Sequence, residues 1–120
     1  MFHKKLKDAA LFIAKDHTAL REIMHPDHDK IAIGYSIAHA SIGVGAASLP
    51  HQLKSSETYY ILEGNGKMYI DEEQKSVQKD DVFWVPPRAV QYLENTGQKA
   101  LTFLCIVEPY WKDEEDQLSD

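Results

Sequence analysis

The chain has 120 residues, which is enough for one ordinary domain and few for two. Apolar residues make up 43% of it and charged residues 27%, and this balance excludes a disordered, collagen-like or coiled-coil chain. Because 13 basic residues face 19 acidic ones, the formal net charge is −6, which disfavours nucleic acid and anionic membrane surfaces as partners.

Two absences indicate where such a chain works. No run approaches the roughly 18 to 20 apolar residues of a membrane span, and the N-terminus lacks the pattern of a signal peptide. We therefore expect a cytoplasmic protein with no membrane partner. Cys105 is the only cysteine, so no intrachain disulfide can form, and its apolar surroundings predict a buried core thiol.

The first 30 residues carry mixed signals. Residues 4–14 fit either a short helix or an irregular edge segment, and residues 18–24 fit a strand better than a turn of helix. We interpret residues 1–30 as an N-terminal extension that packs on the main domain. Its histidines are expected on the solvated surface, and the spacing of the last two is only a weak metal signal; they are His3, His17, His25 and His28.

From Ile31 onward, short runs rich in β-branched and aromatic residues alternate with turn residues. Gly64-Asn65-Gly66 is the sharpest turn, and its composition is typical of a tight hairpin. Residues 71–74 are expected to form another turn. The predicted strands are residues 31–42, 49–53, 58–62, 67–70, 82–85, 90–94 and 101–107.

This pattern of short strands without a long helix predicts an all-β sandwich or small barrel. We place the barrel in residues 31–112 and interpret residues 113–120 as an acidic tail in solvent. A jelly roll of this kind can enclose a pocket between its two sheets, and function is to be sought there.

The segment from Gly45 to Gly64 carries a recognisable spacing. It resembles the first motif of the cupin family, G(x)5HxH(x)3-4E(x)6G, with His51 and Glu57 in register and Leu53 in place of the second histidine. The motif's final glycine is matched by Gly64.

Residues 80–95 resemble the second cupin motif, G(x)5PxG(x)2H(x)3N. Pro86 and Asn95 fall in register, whereas Gln91 stands in place of the histidine, and Asp80 and Arg88 replace the glycines. Residues 16–116 as a whole resemble small, single-domain cupins labelled mannose-6-phosphate-isomerase-like. The resemblance implies a cupin-type double-stranded β-helix, that is, a jelly-roll barrel with a short N-terminal extension.

The resemblance also implies one divalent metal ion inside the barrel. Carried over by position, its ligands here are His51, Glu57 and Gln91, a set depleted in nitrogen donors that would hold manganese, zinc or iron. His39 could supply a further ligand, but strand parity places it opposite the apolar face of Ala38 and Ala40. The alternative is that the three predicted ligands form only a hydrogen-bonded polar cluster.

Two functions follow from these alternatives. The first is a metal-binding cupin that acts on or senses a small polar metabolite, and the second is a non-catalytic cupin that binds a small-molecule ligand through a degenerate metal site. Tyr59 shares strand parity with Glu57 and is expected near the site, whereas Arg88 is expected at the barrel rim. Because exposed strand edges are a liability and cupins commonly pair through them, we expect a homodimer.

Overall fold

A computed structural model describes residues 1–119, and nearly all of its regular structure is strand. Three short helical segments occur in this part of the chain: 3-10 turns at Leu6–Asp8 and Asp113–Glu115, and the helix α1 at Pro26–Asp29. None of these helical segments is long and apolar enough to cross a membrane. The strands are β1 Leu11–Ile13, β2 Ala19–Met24, β3 Ser36–Ile42, β4 His51–Gln52, β5 Ser56–Glu63, β6 Gly66–Ile70, β7 Glu73–Val77, β8 Val82–Val85, β9 Gln91–Asn95, β10 Leu101–Glu108 and β11 Gln117–Leu118.

The strands form two antiparallel sheets that face each other. One has six strands in the order β1-β2-β3-β10-β5-β8, and the other has five in the order β11-β4-β9-β6-β7. From β3 onward the chain repeatedly crosses between the sheets, so that β5 and β6, for example, lie in different ones. The prediction of an all-β jelly-roll barrel is therefore confirmed.

Alternation along the central strands sorts side chains into the barrel and out of it. On β10, every second residue from Leu101 to Val107 is buried, and β5 and β9 show the same period of two. One part of the interior is closely packed, with Ile61, Leu93 and Leu101 fully buried. Further along the same strands the inward positions include Glu57 and Gln91, so the barrel changes from an apolar core to a polar interior.

Some element boundaries differ from those expected. The strand β7 was missed because Glu73–Val77 contains four polar residues before its single valine. The Gly64-Asn65-Gly66 segment is not a hairpin turn, because the strands that it joins lie in different sheets. Its glycine is still required: Gly64 has φ +97°, and a Cβ there would lie 2.8 Å from the carbonyl oxygen of Ala100.

Both chain ends extend the sheets. β1 and β2 continue the six-stranded sheet beyond β3, which confirms a strand at residues 18–24, and β11 pairs with β4 at the edge of the other sheet. Backbone contacts tie these ends to the barrel: the Leu49 amide donates to the Asp16 carbonyl at 2.8 Å, and the Trp111 amide donates to Ser36 Oγ at 2.9 Å. The division of the chain at residues 30 and 112 stays a prediction.

Candidate ligand-binding site

A cavity lies in the polar part of the barrel interior, with walls from both sheets and both chain ends. The volume that the centres of water molecules can occupy in it is about 60 Å³. One water needs roughly 10–15 Å³ of such volume, so the cavity has room for several. Much of its wall is apolar. Its ionisable side chains are Asp16, Glu22, His51, Glu57, Tyr59, Cys105 and Asp116.

His51 enters the cavity from the two-residue strand β4 and is only 4% exposed. Its Nδ1 lies 2.9 Å from the Leu49 carbonyl oxygen and 3.5 Å from Asp16 Oδ2. Because a carbonyl only accepts, Nδ1 carries a hydrogen and donates it to Leu49, which leaves Nε2 available to a ligand. Burial acts to lower the pKa of His51, but the negative charges of Asp16 and Glu57 raise it above its ordinary value.

Glu57 enters from β5 and is 6% exposed. Its Oε1 is buried and has no hydrogen-bond partner among residues 1–119. Burial raises the pKa of Glu57 to about 7, although the nearby His51 and the thiol of Cys105 act in the opposite direction. An unpartnered buried carboxylate oxygen is costly, so this group is prepared to contact something that the chain itself does not supply.

Gln91 lies directly opposite His51 in the pairing of β4 with β9 and is 1% exposed. Its amide oxygen accepts a hydrogen bond from the Tyr59 hydroxyl. Tyr59 itself lines the cavity, whereas Gln91 does not. The structure therefore brings the three sequence-predicted residues into one region but engages the oxygen of Gln91 with another side chain.

Of the other positions that the sequence analysis discussed, Leu53 lines the cavity and His39 and Arg88 do not. His39 is absent from the wall, in agreement with its strand parity, and Leu53 is buried on the wall. Arg88 is exposed, has φ +70° and does not line the cavity. Tyr60 is 38% exposed and points away from the interior, opposite to its neighbour Tyr59.

Sequence reasoning missed the contribution of the chain ends. Asp16, Trp111 and Asp116 all line the cavity, and the indole Nε1 of Trp111 donates to Asp116 Oδ2 at 3.1 Å. The expectation of a fully solvated acidic tail is wrong at Asp116, which is 6% exposed because β11 pairs with β4. Asp113 and Glu114 are exposed as expected, and Asp120 lies outside the described residues.

The fold and this interior site agree with the family comparison. The family described as Cupin domain matches residues 38–107, which span β3 to β10 and contain His51, Glu57 and Gln91. The chain belongs to the cupin family. The narrower resemblance to mannose-6-phosphate-isomerase-like cupins stays a prediction.

A relative and two solved structures are similar to this chain over most of its length. This cupin is 37% identical over 108 residues to the uncharacterized protein MJ1618 of Methanocaldococcus jannaschii, covering 89% of this chain and 86% of that protein. Among solved structures it is similar to the polyketide cyclase RemF of Streptomyces resistomycificus, with a TM-score of 0.82 and 13% identity over 100% of this chain and 86% of the other. It is also similar to a variant of Streptomyces PAC13 with uridine, with a TM-score of 0.79 and 16% identity over 100% and 92%.

The cupin interior offers an incomplete set of ligands for a metal ion. His51 Nε2 and Glu57 Oε1 are available and fit a divalent ion, but the oxygen of Gln91 is engaged by Tyr59. Within residues 1–119, no three imidazole, thiol or carboxylate ligand atoms of the interior approach one another within 4.8 Å. The interior can therefore hold a metal only if Gln91 gives up its hydrogen bond to Tyr59, or if solvent or a bound molecule supplies further ligands.

A second group of potential metal ligands lies on the N-terminal extension. Ligand atoms of Glu22, His25 and His28 lie within 4.8 Å of one another. The expectation that His25 is solvated is wrong: it is 3% exposed, its Nε2 donates to the Trp111 carbonyl at 2.8 Å, and its Nδ1 accepts from the Asp27 amide at 3.2 Å. His28 is exposed and contacts Glu22 at 2.6 Å. This group could hold a metal ion, at the expense of the His25–Asp27 hydrogen bond.

Proposed function

We propose that this cupin binds a small polar metabolite in the barrel cavity and that His51 and Glu57 contact it directly. The observation that carries the proposal is Glu57 Oε1, a buried oxygen on the cavity wall that has no hydrogen-bond partner in the described part of the chain. His51 Nε2, left free by the Nδ1 hydrogen bond to Leu49, is the second contact. The two groups can bind a polar molecule and exchange protons with it.

Thermal-shift measurements with a library of small metabolites test this proposal, because a ligand that binds only the folded state raises the midpoint of unfolding. We expect compounds that stabilise the wild-type protein and lose this effect in Glu57→Gln and in His51→Gln. Tyr60→Phe is the matched control, since Tyr60 is next to the site along β5 but points outward. The proposal fails if no compound stabilises the wild type, or if both cavity variants respond as the control does.

A second candidate is that the interior holds one divalent ion, manganese, zinc or iron, through His51, Glu57 and Gln91. It is supported by the tautomer of His51, because metal-binding histidines commonly donate their other ring N–H to a carbonyl, as Nδ1 does to Leu49. For Gln91 to take part, its oxygen would have to leave the Tyr59 hydroxyl. Such an ion would supply a positive charge that polarises a bound oxygen atom.

Metal titration of two variants distinguishes the two metal locations. If the ion lies in the barrel, His51→Ala loses it and His28→Ala keeps it; if it lies in the group of Glu22, His25 and His28, the pattern is reversed. Calorimetry with each of manganese, zinc and iron reads out both variants alongside the wild type. Equal binding by the wild type and both variants would rule out both locations.

We also propose that the protein is a homodimer that pairs through β1. This strand is at the edge of the six-stranded sheet, and its residues are exposed although all three are apolar: Leu11 is 57% exposed, Phe12 39% and Ile13 64%. Light scattering should give the mass of a dimer for the wild type and of a monomer for Ile13→Lys. The cytoplasmic location and the lack of a nucleic-acid partner rest on the sequence and remain predictions.

A further inference from the structure

The charged side chains on the cavity wall have a marked bias. Among the described residues, four of them are carboxylic acids, Asp16, Glu22, Glu57 and Asp116, and the only other one is His51. Within residues 1–119, no lysine or arginine lines the cavity. Glu22 pairs with His28 at 2.6 Å, and Asp16 lies 3.5 Å from His51. Glu57 and Asp116 are therefore the acids left for a ligand, and a nearby cation favours their ionised form whereas an anion disfavours it. The wall thus favours a ligand of positive charge.

In the described chain, two of these acids have a buried oxygen atom that accepts no hydrogen bond. Glu57 Oε1 and Asp116 Oδ1 are both buried and lack a partner among residues 1–119, and both residues are 6% exposed. Lys15 does not fill this role for the Asp116 carboxylate, because its Nζ donates to the backbone oxygens of Asp113 and Asp116 at 2.9 and 2.8 Å. Both unpartnered oxygens are thus available to N–H or O–H groups of a ligand.

The rest of the wall suits an organic molecule better than a bare ion. Apolar side chains of the six-stranded sheet and of both chain ends line it, among them Phe12, Leu20, Phe103 and Trp111. In the described part of the chain, the one trio of His, Cys, Asp or Glu ligand atoms within 4.8 Å is Glu22, His25 and His28, so Glu57 and Asp116 belong to no such trio. Aromatic faces attract cations as well as apolar groups, so they complement a charged head and a hydrocarbon body.

We propose that the cavity takes an organic cation, a small protonated amine with an apolar body, and discriminates against anions. The ammonium group donates to the oxygens of Glu57 and Asp116 while the body packs on the apolar wall near Trp111. This inference rests on the proposed binding function and adds the chemical class of the ligand. It also disfavours a phosphate-bearing ligand, because among residues 1–119 the cavity wall provides no arginine or lysine for a phosphate.

Three aromatic probes of similar size, a cation, a neutral alcohol and an anion, test the charge preference together with inorganic phosphate. Trp84→Phe removes the exposed indole of the edge strand β8, which leaves Trp111 as the single tryptophan reporting from the cavity wall. In this background, benzylamine at neutral pH should change the fluorescence saturably and bind about tenfold more tightly than neutral benzyl alcohol. Benzoate and inorganic phosphate should give no saturable change.

Paired variants show whether the proposed acids are responsible. Glu57→Gln and Asp116→Asn should each weaken benzylamine binding by at least about fivefold and weaken benzyl alcohol binding less, because the alcohol carries no charge. Asp113→Asn is the matched control, since Asp113 lies three residues before Asp116 but is exposed and absent from the wall. The ranking of the probes in the Trp84→Phe protein needs no variant at the acids, so it stands even if Glu57→Gln or Asp116→Asn folds poorly.

The outcomes distinguish failure of the proposed ligand class from failure of the proposed binding function. If benzyl alcohol or benzoate binds as tightly as benzylamine, the preference for a cation is overturned, while small-molecule binding in the cavity stands. If no probe changes Trp111 fluorescence up to millimolar concentration and no metabolite stabilises the wild-type protein, both proposals are overturned.

Discussion

The barrel strands between residues 36 and 108 and the chain ends before and after them contribute to the cavity in different ways. Among the barrel strands, β5 presents Glu57 inward by alternation and pairs with β10 over several residues. The two-residue strand β4 presents His51 and pairs with β9 opposite Gln91. The ends contribute Asp16, Trp111 and Asp116 through short strands and single hydrogen bonds. The barrel therefore supplies rigidity, and the ends supply much of the charge and close the wall.

The difference predicts where stability resides, and the largest effect should come from the barrel core. Leu93→Ala removes a fully buried side chain of β9, and we expect a loss of about 2–5 kcal/mol in the free energy of unfolding. The matched change at a chain end, Leu118→Ala on β11, removes a side chain that is 47% exposed, and its effect should stay within about 0.5 kcal/mol. Urea unfolding curves give both values, and equal losses would contradict this division of roles.

The two regions also differ in how far the sequence predicted them. Alternating apolar residues and turn glycines are local signals, so most strands from β3 to β10 were located within a few residues. His51, Glu57 and Gln91 were found through their spacing, which the family resemblance made recognisable. The strand β7 has no such alternation, and it forms because its backbone pairs with β6.

The chain ends were harder to predict because their positions depend on contacts distant in sequence. Asp116 is carried into the cavity wall by the pairing of β11 with β4, some 65 residues away, and nothing in its acidic surroundings signals burial. His25 is buried by its bond to the Trp111 carbonyl, which is 86 residues further along the chain. The local composition of both segments predicts that they are solvated. His25 and Asp116 become buried only when the chain ends pack on the closed barrel.

The pH dependence of stability should reflect the cost of burying Glu57 in the barrel. The pKa of this carboxyl rises from 4.5 to about 7 on burial, so between these values the folded state holds a proton that the unfolded state has released. The contribution of Glu57 to the free energy of unfolding therefore falls as pH rises through this range. One pKa unit corresponds to about 1.4 kcal/mol, so the contribution of Glu57 is on the order of 3 kcal/mol.

Comparison of Glu57→Gln with the wild type isolates this contribution. The variant cannot titrate at residue 57, so the difference in unfolding free energy between the two proteins should shift in its favour as pH rises from 4.5 to 7. Denaturant unfolding across this range, with a chelator present to remove metal ions, provides the measurement. A difference that does not change with pH would mean that Glu57 ionises in the folded barrel as readily as it does in water.

A smaller effect should follow from breaking the bond that joins the two chain ends. His25→Ala leaves the Trp111 carbonyl and the Asp27 amide without their partner, and we expect a loss of about 1–3 kcal/mol together with faster amide hydrogen exchange in residues 109–119. His28→Ala is the control, because the ring of His28 stacks on that of His25 at 4.3 Å, but His28 is exposed and pairs with Glu22 instead of the C-terminal segment. If the two variants are equally stable and exchange equally, the ends are held by other contacts, such as the pairing of β11 with β4 and the hydrogen bonds of Lys15 to the backbone of Asp113 and Asp116. If only His25→Ala loosens the C-terminal segment, the buried histidine positions Trp111 and Asp116 on the cavity wall.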